Sequence, residues 1–359
     1  MRGNGRLENI LLENEEIRFH NGFPSLVRFF KGDSQKPLVV FFPGWAHLGR
    51  ISYGFVGCDE KHFLAYWLVK KGYSFLATSY PIDHPVYSDV YPGFTLTDWG
   101  KMASEIVDQF ISENRLKKGV IGINWSASGQ IIRPFNVACK SLGINVRFNL
   151  SIEASPALLM PPEYNLDIKK TKRNMVSLED TYYPFFWKGL QEQSQINEKK
   201  IISKRDYLSH FVGDIPIGLM GTNEFFEDGD FAVNIEKSFE DKDFFAFNEY
   251  PLVTNISGNS SLSPYHPIVD KYTWGFLTTR KIYHDYFVQS QKSGFEISEH
   301  KLKELVRYVN TVPDRLSKVV SGNHFLFVGK KGARNVANHL EKFDFEVERI
   351  KADISGILS

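Results

Sequence analysis

Cysteine is nearly absent from this chain of 359 residues, which contains only Cys58 and Cys139. Two cysteines are too few for the disulfide framework of a small secreted domain, and their spacing matches no metal-binding motif. The sequence also has no paired C-x-x-C, no H-E-x-x-H and no P-loop signature. It therefore predicts neither a metal ion nor a cofactor.

The chain lacks an excess of either charge, because its formal net charge is only +1. This balance gives no electrostatic basis for binding nucleic acid or an acidic membrane surface. No run approaches the ~18 apolar residues that a membrane-spanning helix needs. The first residues also lack the uninterrupted apolar core of a signal peptide. We expect a cytoplasmic protein without a transmembrane segment.

Hydrophobic residues, at 42% of the chain, are abundant enough for a sizeable core. Apolar runs typical of buried strands alternate with patterns of helical period. The predicted strands are 37–42, 73–81, 119–124 and 145–154, and the predicted helices are 59–72, 97–115 (capped by Asp98) and 129–143. This alternation predicts an α/β fold with a doubly wound, mostly parallel sheet.

Two irregular stretches interrupt this pattern. We interpret residues 1–359 as a single domain with an inserted helical cap over 156–212 and a second insertion over 231–296 that completes the cap. The sheet is predicted to resume between them, at Asp214–Gly221. A helix over 298–310, a short strand over 315–320 and an amphipathic helix follow near the end of the chain.

The segment "GINWSASG" (Gly122–Gly129) joins a predicted strand to a predicted helix through small residues. A sharp turn of this kind exposes a serine and directs helix N-terminal N–H groups at developing negative charge. Ser126 fits the turn better than Ser128, because the Ser128 frame would put the bulky Gln130 at a position that requires a small residue. Asn124 departs from the usual pattern, since glycine is usual there. A simple serine-rich loop is the alternative.

Two other segments support a reactive serine. "PLVVFFPGWAH" breaks directly after a strand, so the backbone N–H of Trp45 or Ala46 can pair with that of Ala127 to form an oxyanion hole. "VVSGNHFLF" places His324 in a loop at the carboxyl end of a strand, where sites of open α/β sheets lie.

Together these segments resemble the α/β-hydrolase superfamily over roughly residues 36–155, 213–230 and 297–345. The resemblance implies the order Ser, acid, His, with Ser126 as nucleophile and His324 as base. It places the acid at Glu224, with Glu227, Asp228 and Asp230 as alternatives. That segment can also be an acidic surface loop, and the long interval before His324 can contain a different acid.

Aromatic and histidine side chains are candidates for the substrate pocket. They are Trp125, His47, His84, Phe185, Phe186 and Trp187, with further contributions from Leu158–Pro162, Tyr265 and Trp274. Such a lining favours a small-molecule substrate with an apolar or aromatic acyl or alcohol group, although a cap core that packs on itself explains it equally well. His339 is interpreted as structural or solvated.

The predicted function is a serine hydrolase that cleaves an ester or thioester through an acyl-enzyme. The same scaffold can support acyl transfer, C–C hydrolysis or lyase chemistry, because a fold does not fix a function. A catalytically silent binding protein is the third possibility, given the departures at Asn124 and Glu224. The oligomeric state stays open.

Overall fold

The structure is a computed structural model that describes residues 11–157, 168–221, 223–227, 229–243, 245–292, 294 and 296–359. Its strands are β1 (Glu15–His20), β2 (Phe23–Phe30), β3 (Leu38–Phe42), β4 (Phe75–Ala77), β5 (Gly119–Trp125), β6 (Asn145–Ile152), β7 (Met175–Val176), β8 (Ile215–Pro216), β9 (Glu224–Glu227), β10 (Asp230–Val233), β11 (Val253–Gly258) and β12 (Ser317–Val320). Its α-helices are α1 (Leu64–Lys70), α2 (Leu96–Asn114), α3 (Ile132–Ser141), α4 (Leu178–Thr181), α5 (Tyr183–Ile196), α6 (Lys204–His210), α7 (Ile235–Lys242), α8 (Tyr265–Ile282), α9 (Gln289–Lys292), α10 (Glu299–Val309), α11 (Val312–Arg315) and α12 (Lys330–Leu358).

Eight strands form the central sheet in the order β1-β2-β4-β3-β5-β6-β11-β12. The pairings from β4 to β12 are parallel, whereas β1 and β2 join as an antiparallel edge. All five residues of β3 are buried, as expected for a parallel strand covered by helices on both faces. Because parallel strands end at one edge of the sheet, the loops after β3, β5, β6, β11 and β12 converge there.

The four strands predicted between residues 37 and 154 correspond to β3, β4, β5 and β6. The helix predicted over 97–115 is α2, but its cap is Thr95 rather than Asp98. Asp98 lies at the third helical position and completes a capping box with Thr95. The predicted strand over 315–320 and the helix over 298–310 are β12 and α10.

The prediction that the sheet resumes at Asp214–Gly221 is wrong. Only Ile215–Pro216 is a strand there, and it pairs with β7 outside the central sheet before a turn of 3-10 helix. The strand next to β6 is β11, which lies inside the stretch assigned to the second insertion over 231–296. That stretch therefore contributes a core strand and helix α8, and its assignment as a cap element is corrected.

Pro134 does not disturb α3, because it is the third residue of that helix. The first N–H groups of a helix have no intrahelical acceptor, so a proline there removes no hydrogen bond. Among the helices of the described residues, none is long and apolar enough to span a bilayer.

Candidate active site

Ser126 lies at the sharp turn between β5 and a short 3-10 helix that leads into α3. Its φ is +57°, a strained value for a residue other than glycine. Two close approaches surround this turn. A Cβ added at Gly44 would lie 2.7 Å from Cβ of Ser126, and one at Gly129 would lie 2.5 Å from the carbonyl oxygen of Ser155. Only glycine therefore fits at position 44, which faces Ser126, and at position 129, three residues after Ser126.

Asn124 holds this turn in place from within the sheet. Its buried side chain donates from Nδ2 to the carbonyl of Ser128 at 2.8 Å and accepts at Oδ1 from Nδ2 of Asn149 at 2.6 Å. Ser128 is buried, and its Oγ lies 2.9 Å from the carbonyl oxygens of Phe42 and Trp125. The departure from the usual pattern at Asn124 therefore has a structural use, and the Ser128 hydroxyl is bound by backbone carbonyls.

His324 lies in the loop between β12 and α12 and is 5% exposed. Its Nδ1 is 3.1 Å from Oε2 of Glu153, which directly follows β6 and is fully buried. The Glu153 carboxylate also accepts from the N–H of Gly258 at 2.6 Å and from Oγ of Ser263 at 2.7 Å. Three donors thus hold this carboxylate at the same sheet edge as the loop that follows β5.

The prediction of Glu224 as the partner of the imidazole is wrong. Glu224 lies on β9, and its Oε1 pairs with Nζ of Lys170 at 2.8 Å. Asp230 is exposed and accepts from its neighbour's N–H, whereas the side chain of Glu227 and all of Asp228 lie outside the described residues. Sequence reasoning placed the acid after the wrong strand. The available signal was a lone acidic residue, Glu153, directly after a strand that alternates polar and apolar residues.

The buried pair shifts the pKa values of both partners. Burial lowers the pKa of His324 below its ordinary value, and the hydrogen bond and charge of Glu153 oppose this effect. Burial alone would raise the pKa of Glu153, but the hydrogen bond from His324 and the charges of His324 and His266 keep it below its ordinary value. Glu153 is therefore ionised, and His324 is neutral, at pH 7.

Trp125 connects the serine turn to the histidine loop. Its indole Nε1–H donates to the carbonyl oxygen of His324 at 2.7 Å, and its ring centroid lies 5.4 Å from that of the imidazole. Because Trp125 immediately precedes Ser126, the two loops are joined next to the serine. Trp125 is fully buried, so it supports the site rather than lining an open pocket.

The loop after β3 has two candidate oxyanion donors, the N–H groups of Trp45 and Ala46. The carbonyl of Gly44 accepts from Oη of Tyr80 at 3.0 Å. Burial raises the pKa of Tyr80 well above its ordinary value, and a hydrogen bond from the Ala46 backbone to its hydroxyl opposes this. This influence of the Ala46 backbone on Tyr80 favours the Trp45 N–H as the candidate donor beside that of Ala127.

His47 and His84, predicted to line the pocket, are bound within the protein instead. His47 is fully buried, with Nδ1 2.7 Å from the carbonyl oxygen of Trp45 and Nε2 2.9 Å from Oη of Tyr207. Burial lowers its pKa to about 3. His84 lies 3.2 Å from the carbonyl of Ser209, and burial lowers its pKa to about 4. Both are neutral, structural histidines.

Phe185 and Phe186 on α5 contact the imidazole of His324, with ring centroids at 5.7 and 6.4 Å. Phe186 is buried and nearly parallel to the imidazole, whereas Phe185 is 39% exposed. Trp187, on the same helix, packs on Tyr207.

The other residues predicted to line the pocket lie elsewhere or outside the described residues. Trp274 is a core residue whose Nε1–H donates to the carbonyl of Ala154. Tyr265 is 44% exposed and its ring packs edge-on against His266. Leu158–Pro162 falls outside the described residues.

Glu153, His266 and His324 each have one donor atom within 4.8 Å of the others. Two imidazoles and a carboxylate are a ligand set that zinc accepts. Here the Glu153 carboxylate already accepts three hydrogen bonds, and Nδ1 of His266 lies 3.1 Å from both oxygens of Asp270. Hydrogen bonding accounts for this arrangement, so we assign no metal to it.

Neither a protein-family model nor any curated protein sequence matches the chain. Its fold is similar to solved structures at low sequence identity. An AqdC variant, described as ring-cleaving the Pseudomonas quinolone signal, superposes with a TM-score of 0.54 at 10% identity, over 94% of this chain and 99% of that one. A thermophilic esterase from Thermogutta terrifontis gives a TM-score of 0.44 at 9% identity, over 90% and 94% of the two chains. A thioesterase domain from the curacin biosynthetic pathway gives 0.41 at 10% identity, over 91% and 98%.

At sequence identities this low, structural similarity is evidence for the fold alone. Together with the strand order and the loops that meet at the carboxyl edge of the sheet, it identifies the architecture. The chain has the α/β-hydrolase fold.

Proposed function

We propose that this protein is a serine hydrolase that cleaves a carboxylic ester or thioester. The observation that carries the proposal is the buried pair of His324 and Glu153, held 3.1 Å apart at the sheet edge that also contains the strained Ser126 turn. A serine hydroxyl becomes a nucleophile when an oriented base removes its proton. A buried carboxylate on the far nitrogen of the imidazole provides that orientation.

The reaction begins with proton transfer from Oγ of Ser126 to Nε2 of His324, because Nδ1 of the imidazole is engaged by Glu153. The serine oxygen bonds to the substrate carbonyl carbon, and the carbonyl oxygen becomes an oxyanion. N–H groups of Ala127 and Trp45 stabilise this charge. When the carbonyl re-forms, the bond to the alcohol or thiol breaks and the imidazolium gives that leaving group its proton.

Water completes the cycle by the same path. His324 takes a proton from water, the resulting hydroxide attacks the acyl-enzyme, and Ser126 leaves with the proton returned by the imidazolium. The Glu153 carboxylate stabilises the imidazolium in both halves of the reaction. Its charge acts strongly because the residue is fully buried.

The substrate class follows from the helices that cover the histidine. We propose that α4, α5 and α6 form a cap and that Phe185 contacts the substrate, since it is partly exposed and adjacent to His324. An aromatic surface at this position favours an apolar or aromatic acyl or alcohol group. Phe186 supports the imidazole from the buried side of the same helix.

A fluorophosphonate probe, which phosphonylates activated serines, tests the proposal. We expect wild-type protein to be labelled, Ser126→Ala not to be labelled, and Ser128→Ala to retain labelling because that hydroxyl is bound by backbone carbonyls. Circular dichroism should first establish that each variant is folded. Absence of labelling in the wild type would contradict the proposal and indicate a binding protein with this fold. Labelling that persists in Ser126→Ala would show that the nucleophile is wrong.

A further inference from the structure

A second pair of histidine and carboxylate lies beside the first. His266, in the first turn of α8, stacks on His324 with ring centroids 5.6 Å apart and 29° between the planes. Its Nδ1 is 3.1 Å from both carboxylate oxygens of Asp270, one helical turn further along. Asp270 is 1% exposed, and Oγ of Ser257 lies 3.5 Å from it. Neither residue has a part in the acyl-transfer steps described above.

Among the described residues, the ring of Tyr265 packs edge-on against His266, and three other charged or titratable groups lie around it. Asp270 comes from the same helix, Glu153 from the end of β6, and His324 from the loop after β12. Burial lowers the pKa of His266, but the hydrogen bond and charge of Asp270 and the charge of Glu153 outweigh it, so the pKa lies above its ordinary value. His266 therefore keeps its proton to a higher pH than an unperturbed histidine.

Resting on the hydrolase function proposed above, we propose that His266 is a positioning residue of the active site. Held by Asp270, it supports the ring of His324 on one face and keeps a positive charge beside the His324–Glu153 pair. Phe186 covers the imidazole as a second parallel ring. The orientation of the base is thus fixed by stacking as well as by Glu153.

The positive charge of protonated His266 should change the pKa of His324 in a direction that can be measured. A cation beside His324 disfavours a second cation, which lowers the pKa of His324 further. The base is consequently neutral, and competent to accept a proton, at a more acidic pH than Glu153 alone would permit. The same cation favours the ionised form of Glu153.

The test titrates His324 directly, so that it does not depend on catalysis. NMR of the imidazole carbons is followed against pH in the Ser126→Ala background, with and without His266→Gln or Asp270→Asn. Both substitutions remove the positive charge beside His324 in the pH range where His324 titrates, the second by lowering the pKa of His266. We expect the His324 midpoint to rise by roughly one pH unit in either case. The double substitution should shift it no further than His266→Gln alone.

Two matched measurements complete the design. His284→Gln, which alters a histidine paired with Asp285 further along the same helical stretch, should leave the His324 midpoint unchanged. With Ser126 restored, the acid limb of kcat/KM for p-nitrophenyl butyrate should move upward with the NMR midpoint. If His266→Gln does not fold, the His324 midpoint measured in Asp270→Asn tests the proposal instead.

An unchanged or lowered His324 midpoint in the folded variants would overturn the role of His266. A purely structural role would instead reduce stability and rate without moving the midpoint. Failure of the hydrolase proposal is distinct from both results, because it would appear as absence of fluorophosphonate labelling in the wild type while the NMR shift persists.

Discussion

Two loops at the carboxyl edge of the sheet each contain a buried histidine, and the difference between them lies in their partners. The loop after β3 binds His47 between the carbonyl of Trp45 and the hydroxyl of Tyr207. The loop after β12 binds His324 to the carboxylate of Glu153. The partners of His47 are neutral, so burial controls its pKa, which falls to about 3. Burial also lowers the pKa of His324, but the Glu153 carboxylate opposes this decrease. Burial thus makes a histidine structural unless a buried anion accompanies it.

Replacement of His324 should have the largest effect. In His324→Ala the proposed base is lost, and kcat/KM for p-nitrophenyl butyrate should fall by roughly 10⁶-fold, as in serine hydrolases that lose their base. Steady-state kinetics measures this. His339→Ala on α12, a histidine remote from the site, is the matched control and should retain the rate. A loss of less than about tenfold in His324→Ala would contradict the assignment of the base.

The next largest difference in kcat/KM should lie between variants of Glu153 and Glu224, the two glutamates considered as the acid. Glu153→Gln keeps the shape but removes the charge that stabilises the imidazolium, so we expect a loss of about 10⁴-fold in kcat/KM. Glu224→Gln removes only a partly exposed ion pair with Lys170 and should leave the rate near wild type. Reversal of these two results would restore the assignment made from the sequence.

Tyr207→Phe tests the structural role of His47. Loss of the hydroxyl leaves Nε2 of His47 buried without its partner, which should lower the free energy of unfolding by about 1–3 kcal/mol. Urea denaturation measures this change, and Tyr66→Phe, on the surface of α1, provides the control. An equal loss of kcat/KM with unchanged stability would indicate that His47 acts in catalysis after all.

The smallest expected effect is the change in kcat/KM of the wild-type protein with pH. Burial places the pKa of His324 below the ordinary value of about 6.5, and the base acts only when neutral. The value of kcat/KM should therefore rise with pH through a midpoint below about 6.5 and then level off. A midpoint above this value would mean that Glu153 outweighs burial at His324.

The sequence contained enough information to predict the parallel core and the two ends of the proposed triad. Strands β3 to β5 are mostly apolar and β6 alternates polar and apolar residues. The small residues around Ser126 and the loop of His324 directly follow strands. The local sequence is enough to predict these strands and the turns that directly follow them.

The acid is misplaced because the resemblance puts it after the strand that follows β6, whereas Glu153 directly follows β6 itself. Strand β11 includes Thr254, Asn255 and Ser257, all buried, so its hydrophobic pattern is too weak to recognise. The apolar "IPIGLM" is the stronger strand pattern, although only two of its residues pair. The role of His47 was equally inaccessible, since Tyr207 reaches it from far along the chain.

The hydrogen bond from the Trp125 indole to the carbonyl of His324 has a mechanical consequence. Thermal opening of the proposed cap helices need not separate Ser126, the proposed nucleophile, from His324, its proposed base, because the tryptophan beside Ser126 is hydrogen-bonded to the loop that contains His324. If the proposed function holds, substrate can enter and product can leave by motion of those helices while Ser126 and His324 keep their relative positions.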